Sequence, residues 1–200
     1  HVGTERGRLV YQDESGLLDL PMPNLPGGHQ VQNAGAALAA LRHLGADEAA
    51  CEAAVTRAFW PARMQRLTTG PLFDIAPRAE LWLDGGHNPA AGQVIGAHLA
   101  TLPPRPTHLI CGMLNTKDVR GYLLPIAPVA QSLTAVSIPG EAATLPAEET
   151  ARIASAAGHT ATTAPDVATA LREIAAADPA ARVLICGSLY LAGHILRENG

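Results

Sequence analysis

The chain has 200 residues, 48% hydrophobic, 16% charged and 4% aromatic, with a formal net charge of −4 at pH 7. That length allows one ordinary domain, or one domain plus part of another, around a buried core. The negative balance and the lack of a basic cluster argue against a nucleic-acid surface, and no apolar run nears the ~20 residues that span a bilayer.

Residues 8–20 alternate around a Glu14-Ser15-Gly16 turn and predict a hairpin. Two strands alone are rarely stable, so the hairpin is expected to belong to a sheet whose remainder is missing, which makes the chain a fragment. A Pro/Gly-rich connector over 20–28 leads into an alanine-rich helix from His29 to near Gly45. Asp47 caps a second predicted helix reaching about Phe59. Trp60-Pro61-Ala62-Arg63 breaks it and places a domain boundary, giving domains 1–60 and 61–200.

From about Met64 strands and helices alternate. Candidate strands are 72–75, 80–84, 107–112, 132–137, 160–163 and 182–187; candidate helices are 91–102, 119–127, 147–157, 166–177 and 189–198. The pattern predicts an α/β, Rossmann-like domain, its mainly parallel sheet covered on both faces. Segments 72–75 and 80–84 lie close enough to predict one antiparallel hairpin. No secretory signal is visible, which fits the cytoplasm.

Leu83-Asp84-Gly85-Gly86-His87-Asn88-Pro89 reads as a strand end, a tight polar turn and a helix with proline in its first turn. Ligands of open α/β sheets bind outside the carboxyl ends of strands, where Asp84 and His87 fall. Two readings stand side by side: a ligand site, or Asp84 as helix cap and His87 as an ordinary loop histidine. On the first, a turn-end carboxylate serves the ligand more than the core, so Asp84→Ala should cost little stability. Two near-identical strand ends, Leu109-Ile110-Cys111-Gly112 and Leu184-Ile185-Cys186-Gly187, should emerge on the same sheet edge. The three cysteines, Cys51, Cys111 and Cys186, are far apart, form no CxxC or zinc pattern and suit small buried positions in a reducing compartment.

There is no P-loop, no GxGxxG after a strand, no GxSxG elbow and no third ligand to complete a metal site with Asp84 and His87. The remaining polar residues suit anions. Arg63 either forks onto phosphate or is a solvated surface arginine. Asn33 fits a helix cap or a ligand contact. Lys117, the only lysine, either starts a helix with Asp118 or meets an anion, and Ser188 either caps the last helix or faces one.

Five segments, in order, resemble the folylpolyglutamate synthase/dihydrofolate synthase family, a branch of the Mur-ligase-like ATP-dependent amide ligases. They are Gly28-His29-Gln30-Val31-Gln32-Asn33-Ala34, Trp60-Pro61-Ala62-Arg63-Met64-Gln65, the Leu83–Pro89 stretch, Gly112-Met113-Leu114-Asn115-Thr116-Lys117-Asp118 and Gly187-Ser188-Leu189-Tyr190-Leu191-Ala192-Gly193. Pro-Ala-Arg stands where the family commonly has Pro-Gly-Arg, and Asn-Thr-Lys-Asp where Asp-Lys-Asp is commoner. The resemblance implies that 1–60 is the end of a central ATPase domain and 61–200 a complete C-terminal domain. The P-loop, the magnesium ligands and most of the pterin surface would lie outside this chain, leaving it inactive alone.

The implied reaction joins a dihydropteroate or folate carboxylate to the amine of L-glutamate through an acyl phosphate made with ATP and Mg2+. By the resemblance, Asn33, Arg63 and Asp84 contact ATP, while His87, Ser188 and Tyr190 hold glutamate. Asp84, His87 and Lys117 would be the catalytic set, with Lys117 balancing phosphate charge, and no metal ligand falls among them. The implied partners are these substrates and the chain's own N-terminal ATPase domain, in a monomer without nucleic acid or membrane. The alternatives are a cell-wall Mur ligase domain and a non-catalytic nucleotide- or amino-acid-binding module.

Overall fold

The computed structural model describes residues 1–199, and the chain divides into two units, His1–Pro61 and Ala62–Gly200. In the first unit β1 (Val2–Glu5), β2 (Arg8–Asp13) and β3 (Gly16–Leu20) form a three-stranded antiparallel sheet. The expected hairpin is there, but Val2–Glu5 gives it a third strand from within the chain. The joining turn puts Arg6 and Gly7 at φ 51° and 77°, the paired left-handed geometry of a tight hairpin. Arg6 is not a residue that announces such a turn, so the sequence pattern does not reveal β1. Helix α1 (His29–His43) lies close to β1, since a Cβ on its Gly35 would strike Val2. Helix α2 (Glu48–Thr56) begins where expected, with the Asp47 carboxylate accepting from the Ala50 amide at 2.8 Å. Leu9, Leu18, Leu20, Leu38, Cys51 and Val55 fill the core between sheet and helices.

The second unit runs β4 (Gln65–Arg66), α3 (Pro71–Ile75), β5 (Glu80–Leu83), α4 (Pro89–Thr101), β6 (Thr107–Cys111), α5 (Val119–Leu123), β7 (Ser132–Ala135), α6 (Ala147–Ala156), β8 (Ala161–Thr163), α7 (Val167–Ala177), β9 (Arg182–Cys186) and α8 (Leu189–Asn199). Its six strands lie in the order β4-β5-β9-β6-β7-β8, parallel except for β4. This is the expected α/β architecture with one correction. Residues 72–75 are helical, because Gly70-Pro71 supplies a helix start and Leu72 and Ile75 then fall on one turn. The antiparallel neighbour of β5 is instead the two-residue β4, too short to read from pattern.

Strand side chains alternate between two cores. Leu81, Leu83, Ile110, Val183 and Ile185 face α3, α7 and α8, while Trp82, Leu109, Cys111, Leu184 and Cys186 face α4, α5 and α6. That double burial is why β6 and β9 read as continuous apolar runs. β9 enters between β5 and β6, so the chain returns to the middle of the sheet with its last strand. The turns after β5, β6 and β9 therefore open side by side.

Candidate active site

The site begins with register. Leu83 pairs with Ile185 and Cys111 with Cys186, so Asp84, Gly112 and Gly187 leave the sheet at one level. The Asp84 amide donates to the Ile185 carbonyl at 3.0 Å, and the Gly112 amide to the Cys186 carbonyl at 3.1 Å. Two glycines bring the turns into contact. A Cβ on Gly85 would strike the Leu189 side chain, and one on Gly187 (φ 104°) would meet Cys111 Sγ, the Gly112 carbonyl and Met113 Sδ, each at 2.8 Å.

Asp84 is only 3% exposed. One carboxylate oxygen accepts from the Gly86 amide at 2.7 Å and the other from the Met64 amide at 2.8 Å. This corrects two expectations. The cap of α4 is Asn88, whose side chain accepts from the Ala91 amide at 2.9 Å, with Pro89 in the first turn. Asp84 is also not a carboxylate free of structural duty, so its removal leaves two backbone amides without acceptors.

What Asp84 holds is the Arg63 loop. Ala62 and Met64, on either side of Arg63, sit at φ 54° and 43°, left-handed positions unfavourable for side chains other than glycine. The Ala62 amide donates to Gln65 Oε1 at 2.8 Å, and the Ala62 carbonyl accepts from the Gly85 amide at 2.8 Å. With Asp84 on Met64, these bonds fix the two strained residues that flank Arg63 and leave the Arg63 side chain exposed. Gln65 and the Met64 amide are site residues that composition does not reveal; the only signal is their place in the Pro-Ala-Arg-Met-Gln run.

His87 is half-buried, and its Nδ1 lies 2.9 Å from the Gly85 carbonyl. A carbonyl accepts only, so Nδ1 carries the hydrogen, and in the tautomer with one ring hydrogen Nε2 is the acceptor. Ser188 is 2% exposed, and its hydroxyl oxygen accepts from the Tyr190 amide at 3.0 Å, so it caps α8. Tyr190 is 58% exposed and lines a cavity of about 420 Å³ with Glu141 and Arg197. Lys117 is exposed on the turn after Met113, and Asp118 caps α5 through the Gly121 amide at 2.8 Å. The structure thus gathers the segments of Arg63, Asp84, His87, Ser188 and Tyr190 about the adjoining β5 and β9 ends, and the Lys117 turn follows the third.

Asn33 belongs to the other unit. It is no helix cap: α1 starts at His29, and Asn33 lies in its second turn, exposed, donating from Nδ2 to Gln30 Oε1 at 2.9 Å. Beneath the turns, the neighbouring Cys186 thiol and burial hold Cys111 well above the ordinary thiol range, and burial does the same to the Tyr122 phenol. Cys111 and Cys186 are both buried among apolar side chains, so the two strand-end cysteines are packing residues. Among the described residues no group of three or more His, Cys, Asp or Glu side chains gathers that could hold a metal ion, and no helix is long and apolar enough to cross a membrane.

Residues 74–198 match the family model described as dihydrofolate synthetase, C-terminal domain. A Haloferax volcanii protein named probable bifunctional folylpolyglutamate synthase/dihydropteroate synthase is 30% identical over 196 residues, covering 95% of this chain and 22% of that protein. E. coli FolC in complex with DHPP and ADP superposes with a TM-score of 0.80 at 25% identity, over 98% of this chain and 44% of that one. A bifunctional folylpolyglutamate synthase/dihydrofolate synthase with Mn, AMPPNP and L-glutamate bound gives 0.79 at 25% identity, over 97% of this chain and 44% of that one. The chain thus spans less than half the length of each of these relatives.

Proposed function

Because the chain belongs to the dihydrofolate synthetase C-terminal-domain family, we propose that it is the amino-acid-receiving part of a folate-directed, ATP-dependent ligase. The observation that carries this reading is the loop around Arg63, whose unfavourable backbone is fixed by a buried carboxylate. Strain held this firmly has a use when the exposed side chain between the two strained residues must meet a ligand in one position. A guanidinium suits an anion best, since its planar fork matches phosphate oxygens. Relatives solved with ADP or AMPPNP make a nucleotide phosphate the natural partner.

When bound, ATP supplies the phosphoryl group that turns the pterin-side carboxylate into an acyl phosphate. The chain's own residues act around that event. Arg63 and Lys117 orient and neutralise phosphate oxygens. His87 offers Nε2 as an acceptor for a proton of the glutamate ammonium, which must become a free amine before it attacks. Ser188 and Asp84 keep their turns in shape, and Tyr190 walls the glutamate side. Asn33, on the α1 surface, is assigned to the adenine end of the nucleotide. Among the described residues no donor cluster for Mg2+ gathers, and its ligands are assigned to the ATPase domain outside this chain. The chain contains no P-loop, so ligation is proposed to need a further ATPase domain as partner.

The test is ligation by the intact protein with ATP, labelled L-glutamate and either dihydropteroate, dihydrofolate or a UDP-muramoyl peptide. Glutamate incorporation into the pterin substrates is expected, with His87→Ala raising the KM for glutamate at least tenfold. Incorporation only into the muramoyl peptide, or none at all, would refute the proposal.

A further inference from the structure

Arg63 and His87 stand on separate turns, yet both flanks of Arg63 are tied to the two glycines before His87. On one flank the Gly85 amide donates to the Ala62 carbonyl at 2.8 Å, and the Ala62 amide donates in turn to Gln65 Oε1 at 2.8 Å. On the other, Asp84 accepts from the Met64 amide with one oxygen and from the Gly86 amide with its second. The Gly85 carbonyl lies between the two tied amides and accepts from His87 Nδ1 at 2.9 Å. It is the only hydrogen-bond partner of that ring among the described residues. Two ties hold the carbonyl against a rotation that one alone would permit.

The Ala62 tie is the one under load. Ala62 is 6% exposed and sits at φ 54°, a conformation that glycine adopts freely and alanine does not. Gln65 is the post that keeps it there, itself fixed to the sheet because it belongs to β4 and pairs with Leu83. Deprived of Gln65 Oε1, the buried Ala62 amide gains by leaving the left-handed region and turning toward water. That movement draws the Ala62 carbonyl off the Gly85 amide. Gly85 has no Cβ to resist, so the carbonyl aimed at His87 can then pivot about the Asp84 tie.

We propose that Gln65 is a positioning residue for His87 as well as for Arg63, acting through the backbones of Ala62 and Gly85. Its kinetic consequence rests on the ligase reading above, in which Arg63 meets the nucleotide phosphate and His87 receives the glutamate proton. One side chain that touches neither substrate then sets both ends of the reaction.

Gln65→Met keeps the reach of the side chain and removes the acceptor, whereas Gln65→Glu keeps both. In the intact protein Gln65→Met should raise the KM for ATP and for glutamate together, each about three- to tenfold, the factor carried by one hydrogen bond. Gln65→Glu should recover most of both, and so should Ala62→Gly added to Gln65→Met, because glycine holds the shape of the loop unaided. A loss of stability alone would lower the active fraction and leave both KM values where they were. A second readout needs no turnover: nitrogen NMR of histidine-labelled protein, with His87 assigned through His87→Ala, reports which ring nitrogen carries the hydrogen. The parent and Gln65→Glu should carry it on Nδ1, and in Gln65→Met the Nε2 form should appear. That shift without detectable ligation would sink only the ligase reading. An unmoved tautomer in Gln65→Met, or a KM that rises for ATP alone, would overturn the link to His87.

Discussion

Asp84 combines two duties that pull in opposite directions. Its carboxylate is buried, and each oxygen is committed to a backbone amide, yet the loop it secures exists to present Arg63 to solvent. Asp84→Asn tests this, because an amide can accept at only one of the two positions and turns a donor toward the other amide. We expect a loss of about 1–3 kcal/mol in urea denaturation, together with a collapse of nucleotide affinity as the strained loop relaxes. A variant as stable as the parent would show that the carboxylate is no anchor. At this scale the sequence is half legible. The short spacing from Asp84 to His87 and the proline after Asn88 mark the turn plainly. Met64, twenty residues earlier, is invisible as a partner because its contribution is a backbone amide reached through tertiary folding.

At the scale of elements, α4 shows how small residues set distance. A Cβ on Gly92 would strike the Tyr122 carbonyl, and one on Gly96 the Pro125 carbonyl, so the helix lies directly on the backbone around α5. Gly96→Ala should therefore destabilise by about 1–3 kcal/mol in thermal or urea unfolding, although alanine is the better helix former in isolation. A stabilised variant would mean that this contact is loose. The strands and long helices of the second unit were readable because double burial writes apolar runs and caps such as Asp166 mark helix starts. The elements that the sequence pattern does not reveal are all short. Residues 72–75 carry an apolar pattern too short to separate strand from helix, and β1 and β4 take their identity from the strands they join.

Across the whole molecule, burial couples stability to pH. Burial holds His98 below its ordinary pKa, aided by Arg182 and opposed by Asp84, and burial lowers His159 against the pull of its bond to the Leu123 carbonyl. Both rings fold neutral, so in acid the unfolded chain takes up protons first. Their contribution is complete above about pH 6.5 and is lost as the pH falls below it. The urea midpoint should drop between pH 7.5 and 5.5, and His159→Gln should shrink that drop; an unchanged drop would assign it to other groups. The sheet order could not be read from sequence, since only the return of β9 between β5 and β6 decides which turns meet. That return has a consequence for how the protein can change over time. Gly187 is fitted against Cys111, Gly112 and Met113, and Gly85 against Leu189, so a methyl group on Gly85 requires a smaller side chain at 189, while one on Gly187 meets backbone that cannot be trimmed. The two LICG tetrapeptides are therefore not independent: the glycine that ends the second is held in place by the last two residues of the first.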